Sequence, residues 1–199
     1  MPGFHPEKKG FRVFGIAESF NRNNKRSTLA GVVMRRDLII DGMIFGTTTL
    51  QGDDSTDNII SMYRSLARND IGCIMIDGLI ISMYNIIDGK LLSDEAKIPV
   101  IAVTFEESKG IENTIKDFFP STWQKKLEQY VHLGARDCIT LKTGKPLYIR
   151  YWGTSRPRAA DVLNAFTLQG SVPEPIKIAK IAARAQQCLR MQEGANHGQ

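Results

Sequence analysis

The chemistry this sequence could perform rests on acids placed at the ends of apolar runs. Residues 71–80, IGCIMIDGLI, form an apolar run that stops at Asp77, with Gly78 next. Residues 11–18, FRVFGIAE, form a second such run, which stops at Glu18. A third acidic stretch, QGDDSTD at 51–57, supplies Asp53, Asp54 and Asp57. Ligands of α/β sheets bind outside the carboxyl ends of the strands. If the two runs are neighbouring strands, Glu18 and Asp77 come together at one sheet edge. Two such carboxylates repel each other unless a cation lies between them. Magnesium (or manganese) accepts oxygen ligands and keeps positions open for phosphate oxygens and water. It can lower the pKa of a water and stabilise a leaving oxygen. The expected metal ligands are therefore Glu18, Asp77 and Asp54, and the expected catalytic set is Glu18, Asp77, Asp54 and Asp57.

Each acid also has a structural reading. Asp-Gly is a common turn dipeptide, and Asp77 could cap a following helix. Glu18 could be a solvated strand end. Asp53, Asp54 and Asp57 stand where a helix N-terminus favours negative charge.

The elements that must position these acids follow from periodicity and punctuation. Residues 11–17, 28–36 and 38–50 read as three strands on short connections, a plausible antiparallel meander. Ile59, Met62, Tyr63, Leu66 and Ala67 recur at helical spacing, so 55–69 reads as an amphipathic helix. The runs 71–76 and 98–104 are apolar throughout, as strands covered on both faces are. Asp88-Gly89 reads as a turn. Ser108 and Ser121 are candidate caps for helices near 109–118 and 121–133. Two strands around Thr143-Gly144 fill 138–152. Ser155 and Pro157 open another helix, and the last helix covers 174–189, with Ile176, Ile178, Ala179, Ile181 and Ala182 as its packing stripe. The expected fold is an α/β, ribonuclease-H-like mixed sheet: a three-strand antiparallel meander plus parallel strands, flanked by helices. One domain spans 1–190, with a disordered tail over 191–199.

The net charge of +5 is unevenly distributed. Residues 1–50 carry eight Lys/Arg against four acids, residues 134–199 ten against four, and the centre eight against thirteen. Acids within a basic rim would attract phosphate backbones. Arg22, Lys25 and Arg26 in NRNNKRS, and Arg156 and Arg158 (with Arg150) around Gly153, are the candidate nucleic-acid contacts; a solvated loop is the plainer reading of the first group. No interleaved aromatics suggest a single-strand stacking platform. Cys73, Cys138 and Cys188 are far apart and odd in number, and with no CxxC or Cys/His cluster they suggest neither a disulfide framework nor a zinc site; buried or inert thiols are the plainer reading. His5, His132 and His197 are scattered. No apolar run approaches the roughly 20 residues of a membrane helix, and MPGFHPEKKGF reads as no secretory signal, so a cytoplasmic protein is expected. Trp123 and Trp152 read as core or subunit-contact residues, which leaves a homodimer open.

Several segments, taken in order, carry a resemblance. GIAESF (15–20), IMIDG (74–78), PVIAV (99–103) and VPEPIKIA (172–179) resemble the first catalytic strand, the Asp-Gly strand, the Pro-Thr-Ile-Gly-Val strand and the last-helix opening of endonuclease V. Segments such as RVFGIAESF and IDGLIISMYNIID are closer still to a mainly archaeal, uncharacterised family of endonuclease-V-like proteins. The resemblance implies a ribonuclease-H-like fold and magnesium-dependent cleavage of nucleic acid near a deaminated base. Asp77 matches the family's strand-four catalytic aspartate. Glu18 lies one position from its first aspartate, where Ala17 is in strict register. The family's glutamate falls near Asp54–Asp57. Met83, Phe105 and Thr154 stand where it has a histidine, a lysine and a second histidine. Its base-probing wedge has no counterpart in TTTLQGDDS, so inosine-specific cleavage is not expected.

The reading is a protein that interacts with DNA or RNA through an acidic divalent-metal pocket and can hydrolyse phosphodiesters. Its alternatives are a non-catalytic nucleic-acid-binding relative and a hydrolase of small phosphorylated substrates.

Overall fold

The computed structural model describes residues 4–107 and 110–196. The first three strands are β1 (Arg12–Ser19), β2 (Arg26–Arg35) and β3 (Ile40–Thr49), joined antiparallel with Gly15 opposite Val32 and Val32 opposite Met43. Helix α1 (Ser55–Ser65) then returns the chain to β4 (Ile71–Asp77), which lies parallel to β1 with Ile16 opposite Ile76. A short hairpin, β5 (Ile80–Ile81) and β6 (Asn85–Ile86), precedes α2 (Gly89–Ala96) and β7 (Val100–Thr104), the latter parallel to β4. After α3 (Glu112–Phe118) and α4 (Trp123–His132), the hairpin β8 (Asp137–Thr140) and β9 (Pro146–Trp152) adds antiparallel to β7. Helices α5 (Arg156–Ala165) and α6 (Glu174–Asn196) complete the chain. Among the described residues the main sheet has seven strands in the order β3-β2-β1-β4-β7-β9-β8. The meander and the parallel strands are those the sequence predicts.

Two apolar layers cover the sheet. Phe14, Ile16, Ile74 and Ile76 pack with α1 and α2 residues such as Ile59 and Leu92 on one face. Val13, Cys73, Met75 and Val103 pack with α5 and α6 residues such as Val162 and Ile176 on the other. Because both faces are covered, β2 is buried from Ser27 to Met34 and β4 reads as an unbroken apolar run.

The seating of α6 matters for the site. Ile176, Ala179 and Ala183 recur at helical spacing and are fully buried. A Cβ on Gly15 would lie 2.6 Å from Pro175 Cβ and 2.7 Å from its carbonyl carbon, so the glycine lets the start of α6 rest directly on β1.

Some expected details differ. Ile181, expected on the packing stripe, is 61% exposed, because it points away from the sheet. Asp88 belongs to no simple turn: its carboxylate accepts a bond from Leu91 N at 2.9 Å and caps α2. Thr122, not Ser121, precedes α4, and neither it nor Ser155 caps its helix through the side chain. Helix α6 continues past Met191, where the sequence suggests a disordered tail, to Asn196. The cap expected at Ser108, and His197 with the last residues of that tail, lie outside the described residues.

Candidate functional site

Glu18 and Asp77 stand at the carboxyl ends of adjacent parallel strands, β1 and β4. Strand alternation decides where they point. Glu18 continues the Phe14–Ile16 face, toward α1 and α2. Asp77 continues the Cys73–Met75 face, toward α5 and α6. The residue that shares Asp77's face on β1 is Ala17, which is buried against Ala179 of α6. The two carboxylates thus leave one sheet edge on opposite faces.

Asp77 is mostly buried, its side chain 17% exposed. Burial pushes its carboxyl above the usual range, and the Lys180 ammonium, 2.9 Å from Oδ2, works against that rise. Lys180 comes from α6 and also lies 4.8 Å from the centre of the Phe105 ring. It places a cation beside the aspartate where the family's strand-five lysine is replaced by Phe105. Gly78 follows with φ +77, the left-handed backbone that glycine tolerates, and its N–H donates to Val103 O at 2.9 Å.

Glu18 is held from the other side. Ser82 donates to it twice, from its backbone N–H to Oε1 at 2.6 Å and from its hydroxyl to Oε2 at 2.5 Å. Burial raises the Glu18 carboxyl pKa, the Ser82 bonds oppose this, and the Asp77 charge adds a smaller upward push. Ser82, Met83 and Tyr84 join β5 to β6, and all three have positive φ, at 46°, 56° and 76°. Three consecutive left-handed non-glycine residues store strain, as functional sites often do. Lys126, itself buried, braces this turn: its ammonium donates to Tyr84 O at 3.0 Å, to Gly52 O at 2.5 Å and to Asp53 Oδ1 at 2.5 Å.

Asp54 is occupied with its own turn. Its oxygens accept from Thr48 Oγ1 at 2.6 Å, Thr49 N at 3.0 Å, Thr49 Oγ1 at 2.8 Å and Asn85 Nδ2 at 2.8 Å. Burial would raise its pKa, but these bonds outweigh it and hold the carboxyl well below the usual carboxylate range. Asp57 is exposed in the first turn of α1. Among the described residues no group of three or more His, Cys, Asp or Glu side chains is arranged to hold a metal ion. The structure thus brings Glu18 and Asp77 to one edge, joins Asp54 to that edge through Thr48 and the buried Ser27–Ser82 hydroxyl pair (2.6 Å), and leaves Asp57 apart.

A cleft of about 530 Å³ opens beside Asp77, lined also by Thr104, Phe105, Glu106, Glu107, Tyr130, Arg136 and Arg150. Burial lowers the Arg150 pKa, and the nearby Arg136 charge lowers it further. Both arginines are already engaged: Arg136 Nη1 donates to Thr104 Oγ1 at 3.3 Å and to Glu106 O at 3.2 Å, and Arg150 Nε donates to Gly134 O at 2.9 Å. Guanidinium groups suit an anion with two or more oxygens. Arg22 and Lys25, between β1 and β2, and Arg26, the first residue of β2, are exposed at the same sheet edge, and Arg26 Nε donates to Thr47 Oγ1 at 2.9 Å. Arg156 and Arg158 are not there. They follow β9, whose last residue Trp152 pairs with Val100, the first residue of β7, so they stand at the opposite edge from Asp77. Arg156 bonds Cys138 O at 2.8 Å, and Arg158 lies over the Phe4 ring.

Sequence reasoning missed Lys180, Ser82, Lys126 and Arg136. Only Lys180 left a trace: it follows buried Ala179 in the helix-opening segment, at the border of the packing stripe.

Fold and edge together define the class: a ribonuclease-H-like α/β protein of endonuclease-V type, with an acid-tipped central strand beside a cleft of mixed charge. The chain belongs to the Endonuclease dU family, which it matches over residues 9–186. It is 36% identical over 174 residues to a UPF0215 protein of Pyrobaculum aerophilum, covering 85% of this chain and 91% of that one. An Archaeoglobus fulgidus crystal structure shares the fold, with a TM-score of 0.75 at 24% identity over 88% of this chain and 97% of that one. Ciona intestinalis endonuclease V, solved with an inosine-containing DNA, superposes with a TM-score of 0.59 at 18% identity, covering 89% and 86%. The archaeal endonuclease-V-like family indicated by the sequence is the one found. No helix among the described residues is long and apolar enough to cross a membrane.

Proposed function

We propose that this protein is an endonuclease that cleaves a phosphodiester in nucleic acid carrying a deaminated base, with deoxyuridine as the favoured base. One observation carries the reading: Asp77, a largely buried carboxylate at the tip of a central parallel strand, opens on a cleft lined by Arg136 and Arg150 as well as by Glu106 and Glu107. The name of its family, Endonuclease dU, supports uracil as the base, and the absent wedge disfavours inosine.

A divalent cation fits the donors. Among the described residues Lys180 is the bonded partner of Asp77, through Oδ2, which leaves Oδ1 available. Magnesium commonly binds through one or two carboxylates and the substrate's own phosphates, so Asp77 is the ligand this chain would offer it; Glu18 leaves the sheet on the other face, and both its oxygens accept from Ser82. The chemistry such an ion would supply is activation of water and neutralisation of the leaving oxygen. The chain's own groups do the rest. Lys180 favours the ionised form of Asp77 against its burial. Arg136 and Arg150 hold phosphate oxygens. Ser82 fixes Glu18.

A second reading, nucleic-acid binding without cleavage, draws on the filled valences of Asp54 and on Ala17 standing beside Asp77. One experiment separates them. End-labelled oligonucleotides with a single deoxyuridine, a single inosine or neither are incubated with the protein and magnesium or manganese. Cleavage confined to the deoxyuridine strand, and reduced at least about 100-fold in Asp77→Asn, is the expected result. Binding without cleavage by the wild type favours the second reading. Equal cleavage by wild type and Asp77→Asn overturns the proposal. Turnover of nucleotides or sugar phosphates without affinity for polymers would point instead to a hydrolase of small phosphorylated substrates.

A further inference from the structure

A separate cleft of about 280 Å³ lies where the β1–β2 connection meets the far part of α6. Asn24, Lys25, Arg26, Thr28, Gln187 and Arg190 line it, and no carboxylate does. Arg190 Nη1 donates to Thr28 Oγ1 at 3.4 Å, which ties the helix to β2 at the cleft floor. Neither Lys25 nor Arg190 forms an ion pair among the described residues. Arg26 has a carboxylate only at 3.9 Å, Asp54. Gln187 supplies an independent observation. It is 94% buried, and its Oε1 finds no hydrogen-bond partner among the described residues. A buried amide oxygen without a donor costs free energy unless a ligand or water completes it. Terminal amide N and O are interchangeable by a half-turn of the side chain, so this group can present N–H donors to a ligand in the cleft.

We infer that this cleft is a phosphate-binding site, built from Lys25, Arg26, Arg190 and Gln187, that grips the backbone of a nucleic acid away from Asp77. Three cations, an amide and a hydroxyl match the oxygens of one phosphate group and its neighbour. Its position suits an extended ligand. Arg190 lies ten residues beyond Lys180 on α6, about 15 Å along the axis at 1.5 Å per residue. That distance is roughly four nucleotide rises of a duplex strand. A strand lying along α6 would therefore reach both groups at once. The site is independent of the cleavage chemistry and needs only that the ligand carry phosphate.

The test is binding in the absence of divalent metal. Fluorescence anisotropy with labelled single-stranded and duplex DNA is measured across a salt series for the wild type, Lys25→Ala/Arg190→Ala, Gln187→Leu and Asp77→Asn. Calorimetry with inorganic phosphate runs in parallel. The double variant should bind DNA about tenfold more weakly and lose roughly 1–2 from the slope of log K against log salt. Asp77→Asn should keep the wild-type slope, and Gln187→Leu should weaken binding with little change of slope. Both altered cations are exposed, so folding is preserved, and circular dichroism checks it. Phosphate binding that needs Lys25 and Arg190, with no DNA binding by the wild type, supports the site with a small phosphorylated ligand and removes the nucleic-acid reading. DNA and phosphate affinities both unchanged in the double variant overturn the inference, whatever the cleavage assay shows.

Discussion

Asp54→Ala separates two roles that the sequence could not tell apart. As a metal ligand, Asp54 would matter to cation affinity. As a turn organiser, it would matter to stability. The structure assigns it four donors: Thr48 Oγ1, Thr49 N, Thr49 Oγ1 and Asn85 Nδ2. A hydrogen bond to a charged group is worth about 1.5–3 kcal/mol. The Asp54 side chain is 35% exposed, and solvent competition reduces each bond to about 1 kcal/mol. Asn85 and Thr48 have no exposed surface, so some of their donors would be stranded, although Asn85 keeps its bond to Thr49 O. The sum is about 3–4 kcal/mol, a large share of a typical domain stability of about 5–15 kcal/mol. The sign of the pH dependence follows from the depressed carboxyl. Its stabilisation is complete above an unfolded pKa of about 3.9 and is lost as pH falls toward the lower folded value. Urea denaturation at pH 7 should therefore show the full deficit of the variant, and the gap should narrow below about pH 4. Manganese calorimetry on the same variant should match the wild type. A deficit under about 1 kcal/mol combined with lost manganese binding would refute this reasoning and restore Asp54 as a ligand.

Other outcomes follow from the seating of α6. Lys180→Met should raise the Asp77 pKa further, since burial already pushes it up and the ammonium opposes that rise. The acid limb of a pH–cleavage profile should then move to higher pH; an unmoved limb would remove Lys180 from the site. Gly15→Ala should destabilise by about 2 kcal/mol, because the new methyl meets Pro175 backbone and side chain at 2.6–2.9 Å. Thermal melting reads that loss, and a neutral result would mean that α6 is not seated as described.

The sheet was readable because its signals are local. Alternation, continuous apolar runs and Gly/Asn-rich connections specify β1 to β4 and β7 within a few residues. The hairpin of β5 and β6 was not readable. Its turn at Ser82, Met83 and Tyr84 takes left-handed backbone without a glycine, and long-range bonds to Glu18 and Gln51 hold it there. Asp54 shows the same limit from the other side. A helix-capping composition predicts acids at the start of α1, but only the approach of Asn85 from β6 shows that Asp54 is already fully bonded.

By itself the sequence determined that Asp77 ends a buried strand, and that a second acid ends a strand able to lie beside it. Tertiary structure alone decided which face each acid takes and which cation answers it. Side chains alternate across a strand, so the single-residue offset between Ala17 and Glu18 sends Glu18 to Ser82 and leaves Ala17 facing α6. Lys180 and Arg190 reach that edge from the last helix, more than a hundred residues beyond Asp77 in the case of both. No local pattern encodes such a meeting, because it arises only when α6 packs along β1 and β2.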